Sequence, residues 1–265
     1  MIRAFVDGIG LLGPGLTGWC QSRSVLAGAE AYRAAPTVVP AGDLLPPAER
    51  RRTPNSVKLA LAVAHEALEA SGRSPDSVAT VFTTSSGNGD TLHQLCETLA
   101  RRERDVSPTQ FHNSVHNAAA GYWGIAVRSR EASTSLCGHD WSFAAGLLES
   151  MVRAAMEDRP VALVAYDLPY PEPLHSVRAI AATFGLSLLL APEAGARAVA
   201  AIDIELVPEK AAATCMMDPA LEILRLGTPP ARGLPLLAAL AKGVAASMTI
   251  DYLSTAHLRV TLNPC

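Results

Sequence analysis

Ala79-Thr80-Val81-Phe82-Thr83-Thr84-Ser85-Ser86-Gly87 is the stretch on which the fold turns. Its first six residues are apolar or β-branched, a run of strand length, and Ser85-Ser86-Gly87 supplies a turn before the helical pattern of Asp90 to Arg104. The same alternation continues outward. Short aliphatic or β-branched runs recur at Ser133 to Cys137, Val161 to Tyr166, Leu186 to Ala191 and Val199 to Val207, with helical patterns at Ser114 to Arg128 and Asp140 to Glu157. Upstream, Arg52-Thr53-Pro54 is expected to open a helix with Thr53 as N-cap and Pro54 in its first position, and an apolar stripe from Val57 to Leu68 carries it to Gly72. Downstream, Pro208 to Arg232 reads as irregular, followed by a helix near Leu234 to Ala246 and a strand near His257 to Leu262. Strands alternating with helices need crossover connections, so the expected class is α/β, with a mainly parallel or mixed sheet covered by helices on both faces.

Composition narrows the possible functions. The chain has 265 residues, 49% of them hydrophobic and only 18% charged, which predicts a well-packed core rather than disorder. With 22 basic against 25 acidic residues, and with Glu49 beside the one basic run Arg50-Arg51-Arg52, nothing predicts an electrostatic nucleic-acid binder. Five scattered cysteines without a Cys-x-x-Cys predict neither a disulfide framework nor a zinc knuckle. The longest uncharged stretches, Gly8 to Ser22 and Ala179 to Pro192, fall short of the roughly 20 apolar residues of a spanning helix. No membrane span and a cytoplasmic location with reduced thiols are the expectation.

Four motifs carry possible chemistry. Gly8-Ile-Gly10-Leu-Leu-Gly13 matches G-x-G-x-x-G, but Pro14 and Gly15 interrupt the helix that a dinucleotide site requires, so a loop after the first strand is expected. Ser85-Ser86-Gly87-Asn88-Gly89-Asp90 lacks the glycine before Ser86 that a nucleophile elbow needs, and Asp90 is expected to cap the following helix. His112 and His116 lie four apart but have no third ligand placed near them, so no metal is expected; Asn113 or Ser114 would cap the helix through Tyr122 and Trp123. Cys137 ends a strand just before a helix expected to start at Gly138 to Asp140, where the helix dipole would favour the thiolate. The plainer reading of Cys137 is a small residue filling space at a strand end.

The order of these pieces resembles a known family. The segment Ser107-Pro108-Thr-Gln-Phe111-His112-Asn113-Ser-Val-His116-Asn117-Ala-Ala-Ala-Gly121, followed by a helix and then Ser-Thr-Ser-Leu-Cys137, resembles the N-terminal half of a β-ketoacyl synthase, a thiolase-fold condensing enzyme. Leu12-Gly-Pro14-Gly15 with Trp19, Tyr122-Trp123, Phe143 to Glu149, and Ala165-Tyr-Asp167 through Leu174 extend the likeness. It is closest to the short β-ketoacyl-synthase-like proteins of aryl polyene pathways, which act as chain-length factors.

That resemblance implies a single thiolase-like layered α/β domain over residues 1–265, half of a ketosynthase fold, with 208–265 as a reduced C-terminal extension on the same core. It also implies a non-catalytic chain-length-factor subunit. Such a subunit pairs with a ketosynthase as a heterodimer, meets acyl carrier protein through the complex, and needs no cofactor of its own. Phe111, His112, Asn113, His116, Asn117, Tyr122, Trp123 and Trp141 become candidate partner or pocket residues, with the strand Ser133 to Cys137 beside them. A condensing enzyme's two catalytic histidines have no counterpart here. The histidines after Cys137 are His139, His175 and His257, none in a recognisable motif, and each missing oxyanion donor would forfeit on the order of 3 kcal/mol. The alternative is an independent acyltransferase or thioesterase with Cys137 as nucleophile.

Overall fold

The computed structural model describes all of residues 1–265. Nine strands form one mixed sheet: β1 (Ile2–Gly13), β2 (Leu16–Thr17), β3 (Ala79–Thr84), β4 (Ser133–Cys137), β5 (Val161–Asp167), β6 (Phe184–Ala191), β7 (Ala200–Val207), β8 (Ala246–Tyr252) and β9 (Ala256–Pro264). Their spatial order is β4-β3-β5-β6-β1-β7-β9-β8, with β2 hairpinned onto β1. Only β4, β3 and β5 run parallel; every other pairing is antiparallel. The helices are α1 (Trp19–Leu26), α2 (Pro47–Arg52), α3 (Asn55–Ser71), α4 (Gly89–Ala100), α5 (Pro108–Asn113), α6 (Ala118–Val127), α7 (Ser142–Met156), α8 (Leu174–Val177), α9 (Pro219–Gly227) and α10 (Leu234–Lys242).

Strand periodicity divides the core between two faces. Along β5, Val161, Leu163 and Ala165 join the cluster under α7 and α10, while Ala162, Val164 and Tyr166 join the cluster under α3 and α6. Because both faces are covered, the central strands β5 and β6 are buried along their whole length and largely apolar rather than alternating. This is the α/β layered architecture expected from the sequence.

The glycine fingerprint has a different meaning from either sequence reading. It lies wholly within β1 rather than in a loop. A Cβ on Gly8 would sit 2.0 Å from the Ala67 carbonyl oxygen, and one on Gly10 would sit 2.0 Å from that of Val63. These glycines let the α3 backbone press directly onto the strand.

Other boundaries shift for local reasons. Pro54, not Thr53, occupies the cap position of α3, because the Thr53 hydroxyl donates back to the Glu49 carbonyl at 2.8 Å. Gly72 ends that helix in the left-handed conformation. Asn88, not Asp90, caps α4, accepting from the Thr91 N–H. The helix expected over Ser114 to Arg128 begins only at Ala118, and Asn113 instead closes α5 and donates to the Arg52 carbonyl at 2.8 Å. Within the stretch read as irregular, Asp218 caps α9 through the Ala220 and Leu221 N–H groups, with Pro219 as its first residue. The helix after it stops at Lys242, and β8 follows as a further strand.

Candidate functional site

Parallel strands gather their carboxyl ends, and that is where open α/β sheets place their sites. Thr84 and Cys137 are register partners at the ends of β3 and β4, and β5 ends beside them at Asp167. The Asp167 carboxylate is 2% exposed and is held by donors from the end of β3 and the turn after it: the Thr84 hydroxyl at 2.6 Å, the Ser85 N–H at 2.9 Å and the Ser85 hydroxyl at 3.1 Å. Burial nevertheless pushes its pKa up to about 7, against the pull of those donors and of Arg178. The Ser85 hydroxyl lies 2.9 Å from the Tyr170 hydroxyl, which also contacts Ser86. The cleft over this network measures about 10 Å³, room for a single water at most.

Cys137 stands at the exposed end of β4. The turn after it is a 3₁₀ segment, His139–Trp141, and α7 begins only at Ser142, so the helix amino terminus expected at Gly138 to Asp140 does not meet the sulfur. The environment acts in the opposite direction to the expected dipole. Packing around the thiol and the neighbouring Asp167 carboxylate push its pKa up, so it is held as a thiol. No histidine hydrogen-bonds to it. His139 takes a left-handed φ of 52° while its N–H donates to the Ser85 carbonyl at 3.2 Å, and its ring pairs with Asp140 at 3.7 Å.

An ion cluster locks this turn from behind. Asp140 pairs with Arg178 at 2.7 Å and Arg232 at 3.9 Å, and Arg232 reaches Asp251 at 3.4 Å. Burial alone would raise the Asp140 carboxyl, but these cations outweigh it and hold it below its ordinary value. The Ser142 hydroxyl adds a second tie, lying 2.9 Å from the Thr84 carbonyl and 2.6 Å from that of His139.

The other sequence candidates divide by depth. Phe111, His112, His116 and Asn117 are exposed along α5 and the turn into α6, with Phe111 at 64%. Asn113 is buried, accepting from the Tyr122 hydroxyl at 3.0 Å, and His112 stands edge-on to the Tyr122 ring. Tyr122 and Trp123 face inward against α3 and Phe82 because they lie on the buried side of α6, so they back the exposed residues rather than stand among them. Trp141 is half-buried in the turn after Cys137. His112 and His116 belong to no cluster of metal-ligating groups.

β4 is the last strand of the sheet, and its outer edge is unpaired. The β3-to-β4 crossover leaves Leu92, Leu99, Phe111 and Ile125 exposed on its helices and Val115 exposed in the turn between α5 and α6. At the opposite end of the sheet, the outer edge of β8 is engaged at one point by Thr214, whose N–H donates to the Thr249 carbonyl and whose hydroxyl accepts from the Thr249 N–H, both at 2.9 Å. No such contact engages the outer edge of β4.

The residues missed by sequence reasoning are Thr84 and Ser85 as ligands of Asp167, and the Asp140, Arg178 and Arg232 cluster. One signal was readable for Asp167, since an acid ending a wholly apolar strand run requires donors. The arginine partners come from 38 and 92 positions further along the chain (178 − 140 and 232 − 140) and had no local signal.

Residues 19–225 match the family described as beta-ketoacyl synthase, N-terminal domain. Solved structures similar to the chain include the ketosynthase (ApeO) in complex with its chain length factor (ApeC) from Xenorhabdus doucetiae. There the identity is 19%, 98% of this chain and 100% of the other are covered, and the TM-score is 0.73. The ishigamide ketosynthase/chain length factor is similar at 15% identity, 100% and 99% coverage and a TM-score of 0.74. A type II PKS acyl-carrier protein in complex with its ketosynthase bound to the hexaketide (AntDE:AntF) is similar at 10% identity, with the same coverages and a TM-score of 0.75. At these identities the likeness establishes a shared thiolase-like ketosynthase half-fold. No curated protein matches the chain.

Proposed function

Because the chain belongs to the β-ketoacyl synthase family through its N-terminal domain, we propose that it is a non-catalytic chain-length-factor subunit, pairing with a ketosynthase and shaping its acyl pocket in aryl polyene-type biosynthesis. The observation that carries this reading is the contrast at β4. The strand offers an open edge flanked by exposed apolar side chains, yet Cys137 at its end has no histidine hydrogen-bonded to it and is held as a thiol. A condensing enzyme needs an activated nucleophile and positioned donors for the developing oxyanion. A chain with an edge to offer and no such site is suited to completing a partner's site.

On this reading the ketosynthase docks along β4 and the crossover helices. Phe111, His112, His116 and Asn117 touch it, Asn113, Tyr122 and Trp123 support them from beneath, and Trp141 faces the partner's tunnel. Acyl carrier protein then meets the assembled pair in the cytoplasm, and no helix here is long and apolar enough to cross a membrane. Residues 208–265 serve as a reduced C-terminal extension of the one domain. The acyltransferase alternative asks Cys137 to act as a thiolate, and its raised pKa argues against that.

The direct test is co-purification with a ketosynthase of the same family, followed by reconstitution with acyl carrier protein and malonyl units. A stable heterodimer whose products lose their defined length when this chain is omitted supports the reading. A chain that stays apart from the ketosynthase, or that condenses acyl units alone, overturns it.

A further inference from the structure

A second apolar site lies at the other end of the sheet, enclosed by α1, α9, α10, β8 and the segment 214–218. Its floor is Leu26, Leu221, Ala239 and Met248, all buried, and Met216 and Met217 border it. The volume is about 270 Å³. At about 30 Å³ per water-sized unit, that is room for about nine units, enough for a chain of roughly eight carbons.

The polar groups around it are nearly all committed elsewhere. The Asp218 carboxylate caps α9 through the Ala220 and Leu221 N–H groups, and the Thr214 hydroxyl accepts from Thr249. None of the lining side chains carries an unpartnered buried polar atom. The exceptions among the polar groups are the exposed Ser247 hydroxyl, which makes no side-chain hydrogen bond, and Lys242, the last residue of α10. Lys242 lines the opening, is exposed and forms no ion pair within the chain. An apolar interior with one uncommitted cation at its mouth complements an apolar tail ending in an anion. The methionines suit such a tail, because their flexible thioethers repack around chains of different shape.

We infer that this pocket binds a free medium-chain alkanoate, with its tail on the Leu221, Ala239 and Met248 floor and its carboxylate at Lys242. The inference stands apart from the chain-length reading, since the pocket lies at the β8 end of the sheet and the proposed partner face lies at β4.

Octanoate is the probe, titrated into the full chain by isothermal calorimetry, with octanol as the uncharged comparison. Saturable one-to-one octanoate binding, tighter than octanol, is expected. Lys242→Glu should weaken octanoate about three- to tenfold while leaving octanol unchanged, because only the charge contact at the mouth is reversed. Ala238→Trp, which places bulk at the rim, should weaken both ligands. Ketosynthase pairing by Lys242→Glu should match the unaltered chain, so failure here is distinguishable from failure at β4. Thermal melts accompany each variant, and Lys242→Glu carries the test if Ala238→Trp does not fold. Absence of saturable binding, or binding indifferent to Lys242→Glu, overturns the inference. So does dimerisation of the chain through this surface, blocked by Ala238→Trp, without octanoate binding.

Discussion

The Asp167 carboxylate accepts from the Thr84 hydroxyl at 2.6 Å, joining the carboxyl ends of two neighbouring parallel strands. Through Ser85 the same carboxylate holds the start of the loop that leads into α4, and α4 opens the crossover facing the free edge of the sheet. A buried acid thus anchors the geometry of the proposed docking face from behind.

The protonation of Asp167 should be visible in stability. Its pKa is raised from 3.8 to about 7, mainly by burial, so the folded chain holds a proton that the unfolded chain has released. Stability should therefore fall as pH rises between those two values and level off above about 7, by an amount on the order of a few kcal/mol. Asp167→Asn should flatten that segment of the profile in denaturant titrations. A slope unchanged by Asp167→Asn would show that another group titrates.

Cys137→Ala should leave condensation by the reconstituted pair within about twofold, because chemistry is assigned to the partner. Mass spectrometry of the chain after turnover should find no acyl adduct on Cys137. A rate loss of about a hundredfold or more, with an adduct in the unaltered chain, would restore the nucleophile reading.

Phe111→Asp and Ile125→Asp place charge on side chains that are 64% and 46% exposed. Neither should lower the melting temperature appreciably, since both are solvated in the isolated chain. Both should weaken ketosynthase pairing in pull-downs by about tenfold or more, because an unpaired charge would be buried at the interface. The unaltered chain, purified alone, should self-associate through this apolar face, and the same substitutions should reduce that tendency.

Trp141→Ala and Trp123→Ala should part company. Trp141 is half-buried beside Cys137, and removing its bulk should lengthen the product by two-carbon units without abolishing synthesis, read by mass spectrometry. Trp123 is 2% exposed within the α3 and α6 core, so Trp123→Ala should cost about 3–5 kcal/mol in stability. An unchanged product length in stable Trp141→Ala would remove Trp141 from the proposed pocket.

Gly10→Ala tests the close approach of α3 to β1. The added methyl meets the Val63 carbonyl oxygen at 2.0 Å, which neither backbone can relieve without moving, so destabilisation of about 1–3 kcal/mol or more is expected in chemical denaturation. A neutral effect would mean that α3 shifts freely.

Local pattern was enough for the alternation of strand and helix. The runs at Ala79 to Thr84 and Ser133 to Cys137 became β3 and β4 without change, because their β-branched and apolar composition is a property of the segment itself. The Ser107 to Gly121 motif, read by resemblance, led to the family. Caps and short elements were less legible: Asn88 rather than Asp90 caps α4 because its side chain reaches the Thr91 N–H, and Thr53 gives up the cap of α3 because its hydroxyl is spent on the Glu49 carbonyl. α9 was hidden by three prolines in its surroundings, although Asp218-Pro219 is a start signal.

The sequence by itself thus determined the α/β class, the order of its central elements and the absence of catalytic-histidine motifs around Cys137, since each is written in composition, periodicity or motif. Only the tertiary structure decided what those residues meet. Gly8 and Gly10 became a helix-packing seam because α3 crosses β1 there, and between the two readings of Cys137 burial and then the nearby Asp167 carboxylate favour the thiol, with α7 starting only at Ser142. Asp140 found Arg178 and Arg232 because the sheet brings distant loops to one end. Contacts between residues far apart in the chain depend on the relative placement of packed elements, and no local window of sequence carries that placement.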